Sequence, residues 1–231
     1  MFIFLKNYCV LCKLIFRDFD PEIHDIKVVA ELIYDVDYRT FKHVFKSKEE
    51  GVLALSHRLE YEFAEDAEDD GSLFYVFFDD EDTEEKNIIG MFNGGKGVQH
   101  SYFKDIVESF KHLKFSEALG LSKVNFMDKF VLVDVEEDDF YICELAICDG
   151  NRGKGYGKQA LYQLIDLARE LGCKRVVLDA DFRNDGAYRL YSSLGFKVFK
   201  RKAFGFPGKK RGMRNMELIL DWFLIFFFFI F

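Results

Sequence analysis

Six residues, Arg152-Gly153-Lys154-Gly155-Tyr156-Gly157, stand between a strand-like run, Phe140 to Cys148, and a helix-like run, Gly157 to Leu171. A glycine-rich turn entering a helix points successive backbone N–H groups one way and adds the helix's positive end to them, which suits it to a pyrophosphate. Glycine supplies φ > 0 and close approach, while Arg152 and Lys154 add full charges beside the amides. The spacing lacks the closing Gly-Lys-Ser/Thr of a Walker loop, and the further spaced glycine and acidic ribose ligand of a dinucleotide fingerprint. An ordinary strand-to-helix turn with solvated basic side chains is the competing reading.

The residues beyond the loop favour the cradle. Leu161, Leu164, Ile165, Ala168 and Leu171 share one helical face, with Gly172 placed as a C-cap. Lys174 to Ala180 reads as a buried strand. A second helix starts near Asn184, a good N-cap, carries Ala187, Leu190, Tyr191 and Leu194 on one face, and stops at Gly195. Strand, loop, helix, strand, helix is an α/β pattern.

Arg152-x-x-Gly155-x-Gly157 followed by Asn184-x-x-Ala187-x-x-Leu190-Tyr191-x-x-x-Gly195-Phe196 resembles the GNAT superfamily of acyl-CoA-dependent N-acetyltransferases, over about Val131 to Leu220. From Lys13 to Gly95 the likeness is only in the order of elements. The resemblance implies a mixed central sheet, antiparallel in its N-terminal half, with helices on both faces and a parallel strand pair splayed at the acetyl-CoA cleft. It implies that the N–H groups of about Lys154 to Lys158, including Gly155, Tyr156 and Gly157, hold the pyrophosphate of acetyl-CoA, with Arg152 and Gly153 opening the loop. Backbone groups near Leu145 and Ile147, together with Asn184, would meet the pantetheine arm. A cleft between parallel strands is where α/β sheets take small ligands.

The chemistry needs a base and an acid. An alkylamine with a pKa of about 10.4 is an ammonium at neutral pH and has no lone pair to attack a thioester. A carboxylate in the cleft can take the proton directly or through water, and burial moves its pKa toward the working range. Glu144, beside Leu145 in the strand leading to the loop, is the candidate base; a sheet-surface salt bridge is the alternative. Alternation places Glu144, Ala146 and Cys148 on one face and Cys143, Leu145 and Ile147 on the other. Tyr191 occupies the family's position for the acid that protonates the leaving thiolate, and its alternative is an amphipathic core tyrosine. No cysteine in the loop or beside Tyr191 has an evident histidine partner, which favours direct attack by the amine over a ping-pong route.

In the first half, Leu14 to Phe19 reads as a strand, and Pro21 stands near the start of a helix reaching about Tyr34. Tyr38 to Phe45 and Lys48 to Phe63 read as helices, and Leu73 to Phe78 and Asn87 to Phe92 as strands. Gly94-Gly95-Lys96-Gly97 reads as a flexible turn. A helical stripe of Phe103, Ile106, Val107, Phe110 and Leu113 follows, inserted at about 97–120 before a hairpin of Phe130 to Val135 and Phe140 to Ile147. It would line the acceptor pocket or form a homodimer contact.

With 231 residues and only 2 prolines, the chain has no proline-rich linker, and one domain at 13–220 is the simpler division, with 1–12 an N-terminal extension and 221–231 an apolar tail. A net charge of -8 argues against general nucleic-acid binding. The acidic runs Glu60 to Asp70 and Asp79 to Glu85 read as solvated, or as a rim that draws a cationic amine. The basic stretch Lys197 to Arg214 reads mainly as a solvated hairpin loop around Pro207-Gly208, though some of it could meet the nucleotide phosphates. Five cysteines without a signal-cleavage pattern fit a reducing cytoplasm, with Cys148 and Cys173 packed as small hydrophobes. Cys9-x-x-Cys12 lacks the partners of a zinc site, so no metal is expected. Leu218 to Phe231, broken by Asp221, falls short of the ~20 residues of a spanning helix. Attachment to a membrane surface through this tail and the basic stretch stays open, beside a tail without function.

The reading is a cytoplasmic N-acetyltransferase passing the acetyl group of acetyl-CoA directly to a primary amine, of a small molecule or a protein, in a ternary complex. An acyl-CoA-binding or regulatory module without turnover is the runner-up.

Overall fold

The computed structural model describes residues 13–64, 71–99, 101–205 and 211–220. The Cys9 and Cys12 pair, the acidic stretch 65–70, the Pro207-Gly208 turn and the apolar ends 1–12 and 221–231 lie outside the described residues.

Seven strands form one mixed sheet: β1 (Leu14–Asp18), β2 (Leu73–Asp79), β3 (Gly90–Lys96), β4 (Asp139–Ile147), β5 (Arg175–Asp181), β6 (Lys197–Phe204) and β7 (Arg211–Ile219). Their spatial order is β1-β2-β3-β4-β5-β7-β6. The β4–β5 pair is parallel and the other pairs are antiparallel. The helices are α1 (Ile26–Val36), α2 (Tyr38–Val44), α3 (Lys48–Glu62), α4 (Tyr102–His112), α5 (Phe115–Asp128), α6 (Tyr156–Glu170) and α7 (Asp185–Ser193).

Strand alternation divides the core between the two faces. Phe77 of β2, Phe92 of β3 and Phe140 and Ile142 of β4 pack with Leu161, Leu164 and Ile165 of α6. Val76 and Phe78 of β2, Met91 of β3 and Ala146 of β4 pack with Val29 and Ile33 of α1, Leu55 of α3 and Leu121 of α5. Several of the 28 phenylalanines therefore serve as the filling of a two-faced core, each contributing about 1.5–3 kcal/mol on burial.

Four local expectations need correction. Residues 130–135 form no strand; β4 pairs instead with β3. There Val131 and Val133 are buried and the Val133 N–H donates to the side chain of Asp179, so this run is tied down as a loop. Pro21 sits in a turn and α1 begins after Asp25, whose carboxylate accepts from the N–H groups of Lys27 and Val28. This cap satisfies two orphan amides, which Pro21 cannot do. Gly94, Gly95 and Lys96 belong to β3 rather than to a flexible turn. A second helix, α5, follows the expected α4 and packs against the core by Leu121 and Val124.

Candidate active site

The site forms where β4 and β5 part. Their parallel register runs from Asp139 opposite Arg175 to Ile142 opposite Leu178 and stops there, although both strands continue. A bulge at Asn93/Gly94 in the β3–β4 ladder coincides with the parting: Gly94 pairs with Ile142 and Asn93 with Glu144, leaving Cys143 extra. The bulge also corrects the expected alternation, because Cys143 packs with Val133, Tyr141 and Val177 while Leu145 and Ile147 pack toward α6.

The result is a cleft of about 1810 Å³, lined by the loop, β4, the start of α7 and the inner sides of α3, α4 and α5. The Cys148 N–H donates to Ile89 across the β3 side, so ladder alternation turns the backbone groups of Ile147 and Leu145 toward the gap. The Ile147 carbonyl already accepts from Arg152 Nε at 3.0 Å. Leu145 keeps the geometry expected for pairing with an extended ligand arm.

At the loop, Gly153 and Gly155 have φ of +79° and +90°, and a Cβ on either would meet nothing within 4 Å. Gly155 is the N-cap of α6 without a side-chain cap, which leaves the amides of Tyr156 and Gly157 without an intrahelical acceptor. The Lys158 N–H instead donates to the Gly155 carbonyl at 3.1 Å. Open space at Gly153 and Gly155, beside amides that lack an intrahelical acceptor, fits a pyrophosphate. Arg152, Gly153, Gly155, Tyr156, Gly157 and Lys158 line the cleft; Lys154 turns away and donates to Asn151 Oδ1 at 2.8 Å. The Tyr156 hydroxyl donates to Asp79, which ties the start of α6 to the end of β2.

Glu144 and Tyr191 both line this cleft. Burial pushes the Glu144 carboxyl above the ordinary range, opposed by the charge of Arg58 and a hydrogen bond with Asn93. Its Oε2 is buried without a hydrogen-bond partner among the described residues. Tyr191, half-buried on α7, has its hydroxyl pushed up to about 12 by burial, and so stays protonated at neutral pH. Asn184 caps α7 by accepting from the Ala187 N–H at 3.1 Å, which uses Oδ1 and leaves Nδ2 for other contacts.

Sequence reasoning missed the polar floor. Arg211, at the start of β7, lies between Asp37 and Asp128, with its Nη2 2.5 Å from Asp37. Burial pushes Asp128 up to about 7 against the pull of Arg211. Asp179 accepts from the Val133 N–H at 3.1 Å, the Tyr141 hydroxyl at 2.9 Å and Asn215 Nδ2. Cys143 adds a thiol that burial holds well above its ordinary pKa. The expected solvated basic stretch holds only in part: Lys197, Lys200 and Arg201 are exposed, but Arg211 is buried, and Lys202 Nζ donates to the Leu132 carbonyl at 2.6 Å and to Asp134. Only long-range pairing reveals these roles, because residues 37, 128 and 211 meet from three separate elements.

A mixed sheet opened at one parallel pair, with an amide-rich turn at the opening, defines an α/β acyltransferase fold. The chain belongs to the acetyltransferase (GNAT) family, whose model matches residues 33–196. N-alpha-acetyltransferase MAK3 of Arabidopsis thaliana is 38% identical over 61 residues, covering 26% of this chain and 32% of that protein. The uncharacterized N-acetyltransferase YycN of Bacillus subtilis is 34% identical over 61 residues, 26% of this chain and 39% of that one. The matched stretch spans about a third of these relatives. The solved spermidine N-acetyltransferase of Vibrio cholerae, in complex with CoA and spermine, matches in fold with a TM-score of 0.56 at 14% identity, covering 90% of this chain and 96% of that one.

Proposed function

We propose that the chain transfers the acetyl group of acetyl-CoA directly to a primary amine bound in the same cleft, as a 13–220 unit working in the cytoplasm. The observation that carries this reading is the parting of β4 and β5 after Ile142 and Leu178, with the uncapped turn of Tyr156 and Gly157 and the side chains of Glu144 and Tyr191 in the lining of the cleft. The loop amides hold the pyrophosphate, and the edge of β4 at Leu145 aligns the pantetheine arm.

Glu144 takes a proton from the acceptor ammonium, directly or through water, and the freed nitrogen attacks the thioester carbonyl. The tetrahedral adduct collapses with cleavage of the C–S bond, and the Tyr191 hydroxyl protonates the departing thiolate. Cys143 is a poor acyl carrier, because its raised pKa keeps it a thiol. Direct transfer is therefore favoured over an acyl-cysteine route. The cleft lining carries more carboxylate than cationic side chains, although Glu62, Glu108 and Asp128 are held by Arg58, Lys111 and Arg211, and that balance suits an acceptor that arrives as a cation. Amine acceptors named for relatives of this fold are compatible with that surface.

The test is release of CoA thiol from acetyl-CoA across a panel of amines, with calorimetry of acetyl-CoA binding in parallel. Binding with amine-dependent release supports the reading. Binding without release from any amine would make the chain a non-catalytic acyl-CoA module, and absence of binding would remove the cradle itself.

A further inference from the structure

Helix α4 is amphipathic in the inverse sense. Its polar residues Asp105, Glu108 and Ser109 face the protein, with Ser109 buried, while Phe103, Val107 and Phe110 face outward. On α5 the outward stripe continues through Phe115, Leu119 and Phe126, and beyond its end to Phe130. The stripes join at the helix–helix turn, where the Phe110 and Phe115 rings are 5.8 Å apart. Phe103 and Phe115 are the most open of these, at 81% and 72% exposure.

The charge on this face is equally one-sided. From Phe103 to Phe130 the exposed residues comprise seven large apolar side chains, five lysines, His112 and Ser116, with no acid; Lys104, Lys111 and His112 also line the cleft, which leaves Lys114, Lys123 and Lys129 as the cations of the outward face. None of the four acids of the segment is among these exposed residues. Asp105 and Glu108 line the cleft, Glu117 meets His57 at 3.0 Å, and Asp128 meets Arg211. Lys111 and Lys114 reach back toward Glu108 and Glu117, but their stems stay on the surface. In a chain of net charge -8, an acid-free face of this size is a marked local departure.

A single apolar stripe of this kind would normally be buried, because contiguous exposed aromatic surface is costly and marks an interaction site. Interleaved lysines select among partners: they repel a second copy of the same face and are drawn to anionic headgroups, while the aromatic rings enter the interfacial layer. We propose that the α4–α5 face docks peripherally on an anionic phospholipid bilayer. Phe103, Phe115, Lys114 and Lys123 lie outside the cleft lining, although α4 contributes to both surfaces.

The test is co-flotation of the full chain with vesicles of phosphatidylcholine alone and of phosphatidylcholine mixed with phosphatidylserine. Wild type is expected to float with the mixed vesicles and to dissociate at high salt. Phe103→Glu/Phe115→Glu should weaken binding at least about tenfold, from the loss of two buried rings. Lys114→Gln/Lys123→Gln should weaken it by about fivefold per lysine, and only with the anionic vesicles. None of these four side chains lines the cleft, so acetyl-CoA binding should be unchanged in both variants. Wild type failing to float would overturn the proposal, as would variants that float like wild type, which would assign binding to another segment. So would sedimentation showing a wild-type dimer without lipid that the Phe103→Glu/Phe115→Glu variant loses, because the occupant would then be a second copy.

Discussion

Arg152 Nε donates to the Ile147 carbonyl at 3.0 Å, and another of its nitrogens lies 2.5 Å from Asp149, so one guanidinium ties the end of β4 to the loop that follows. Its first role is therefore to shape the turn. Arg152→Ala is expected to raise KM for acetyl-CoA by about five- to tenfold, the loss of an exposed charge-assisted bond, with a smaller change in kcat. Steady-state kinetics check this. Lysine at the same position should restore little, because it cannot bridge a carbonyl and a carboxylate with fixed geometry. Full rescue by lysine would mean that charge alone matters.

Glu144 must be ionised to accept a proton, and its carboxyl is raised by burial. Activity is therefore expected to fall as pH drops through a pKa above the ordinary carboxyl range, and to be retained above it. Glu144→Gln should lower kcat by about 10²-fold or more and erase this acidic limb. A pH–rate profile of both proteins decides the matter; an unchanged limb in the variant assigns it to another group.

Tyr191 titrates only near about 12, so as an acid it is fully protonated throughout the neutral range and should contribute no alkaline limb there. Tyr191→Phe is expected to reduce kcat by about 10- to 100-fold while leaving acetyl-CoA affinity nearly unchanged. Calorimetry and initial rates on one preparation separate the two effects. Equal losses in both would make Tyr191 a packing residue.

Asp128 links the floor of the cleft to stability. Its folded pKa of about 7 lies above that of a solvated aspartate, so the folded chain holds more protons than the unfolded one between about pH 4 and 7. This group's contribution therefore diminishes as pH rises through that window, by at most about 1.4 kcal/mol per pH unit. Asp128→Asn should flatten the slope in urea unfolding measured across the window. Arg211→Leu, by contrast, strands two buried carboxylates and should cost about 3–5 kcal/mol.

The legible part of this chain is where local signals agree. The loop, α6, β5 and α7 lie within two residues of their sequence-derived limits, because a glycine turn, apolar periodicity and the Asn184 cap all mark the same boundaries. The parting of β4 and β5 follows only from the family resemblance, since no local residue encodes it. Residues 130–135 look like a strand by alternation yet form a loop, since the β3 edge is taken by β4 and Asp179 holds Val133. Arg211 looks solvated because its two acidic partners are distant in the chain. The α4 stripe, expected to line the acceptor pocket or form a homodimer contact, turns Phe103, Val107 and Phe110 outward and away from the cleft, because its period reports amphipathicity but not which side faces the protein.

The Gly94–Tyr141 contact gives the final prediction. Gly94 has φ of +150°, and a Cβ there would lie 2.0 Å from the Tyr141 carbonyl oxygen, a backbone atom with no freedom to move aside. This glycine therefore permits the bulge that leaves Cys143 extra and sets the register of Glu144 opposite Asn93. Gly94→Ala forces either strain or a shift of β4, at a cost of about 3 kcal/mol from overpacking and disallowed φ. For a chain of this size that corresponds to a fall in Tm of about 6–12 °C. Because a register shift moves the carboxylate as well as the strand, kcat should drop together with Tm. Gly150→Ala is the matched control: its Cβ meets nothing within 4 Å, and it should leave both Tm and kcat unchanged in thermal scans and rate assays. A Gly94→Ala protein with wild-type Tm and activity would show that the bulge does not depend on this glycine.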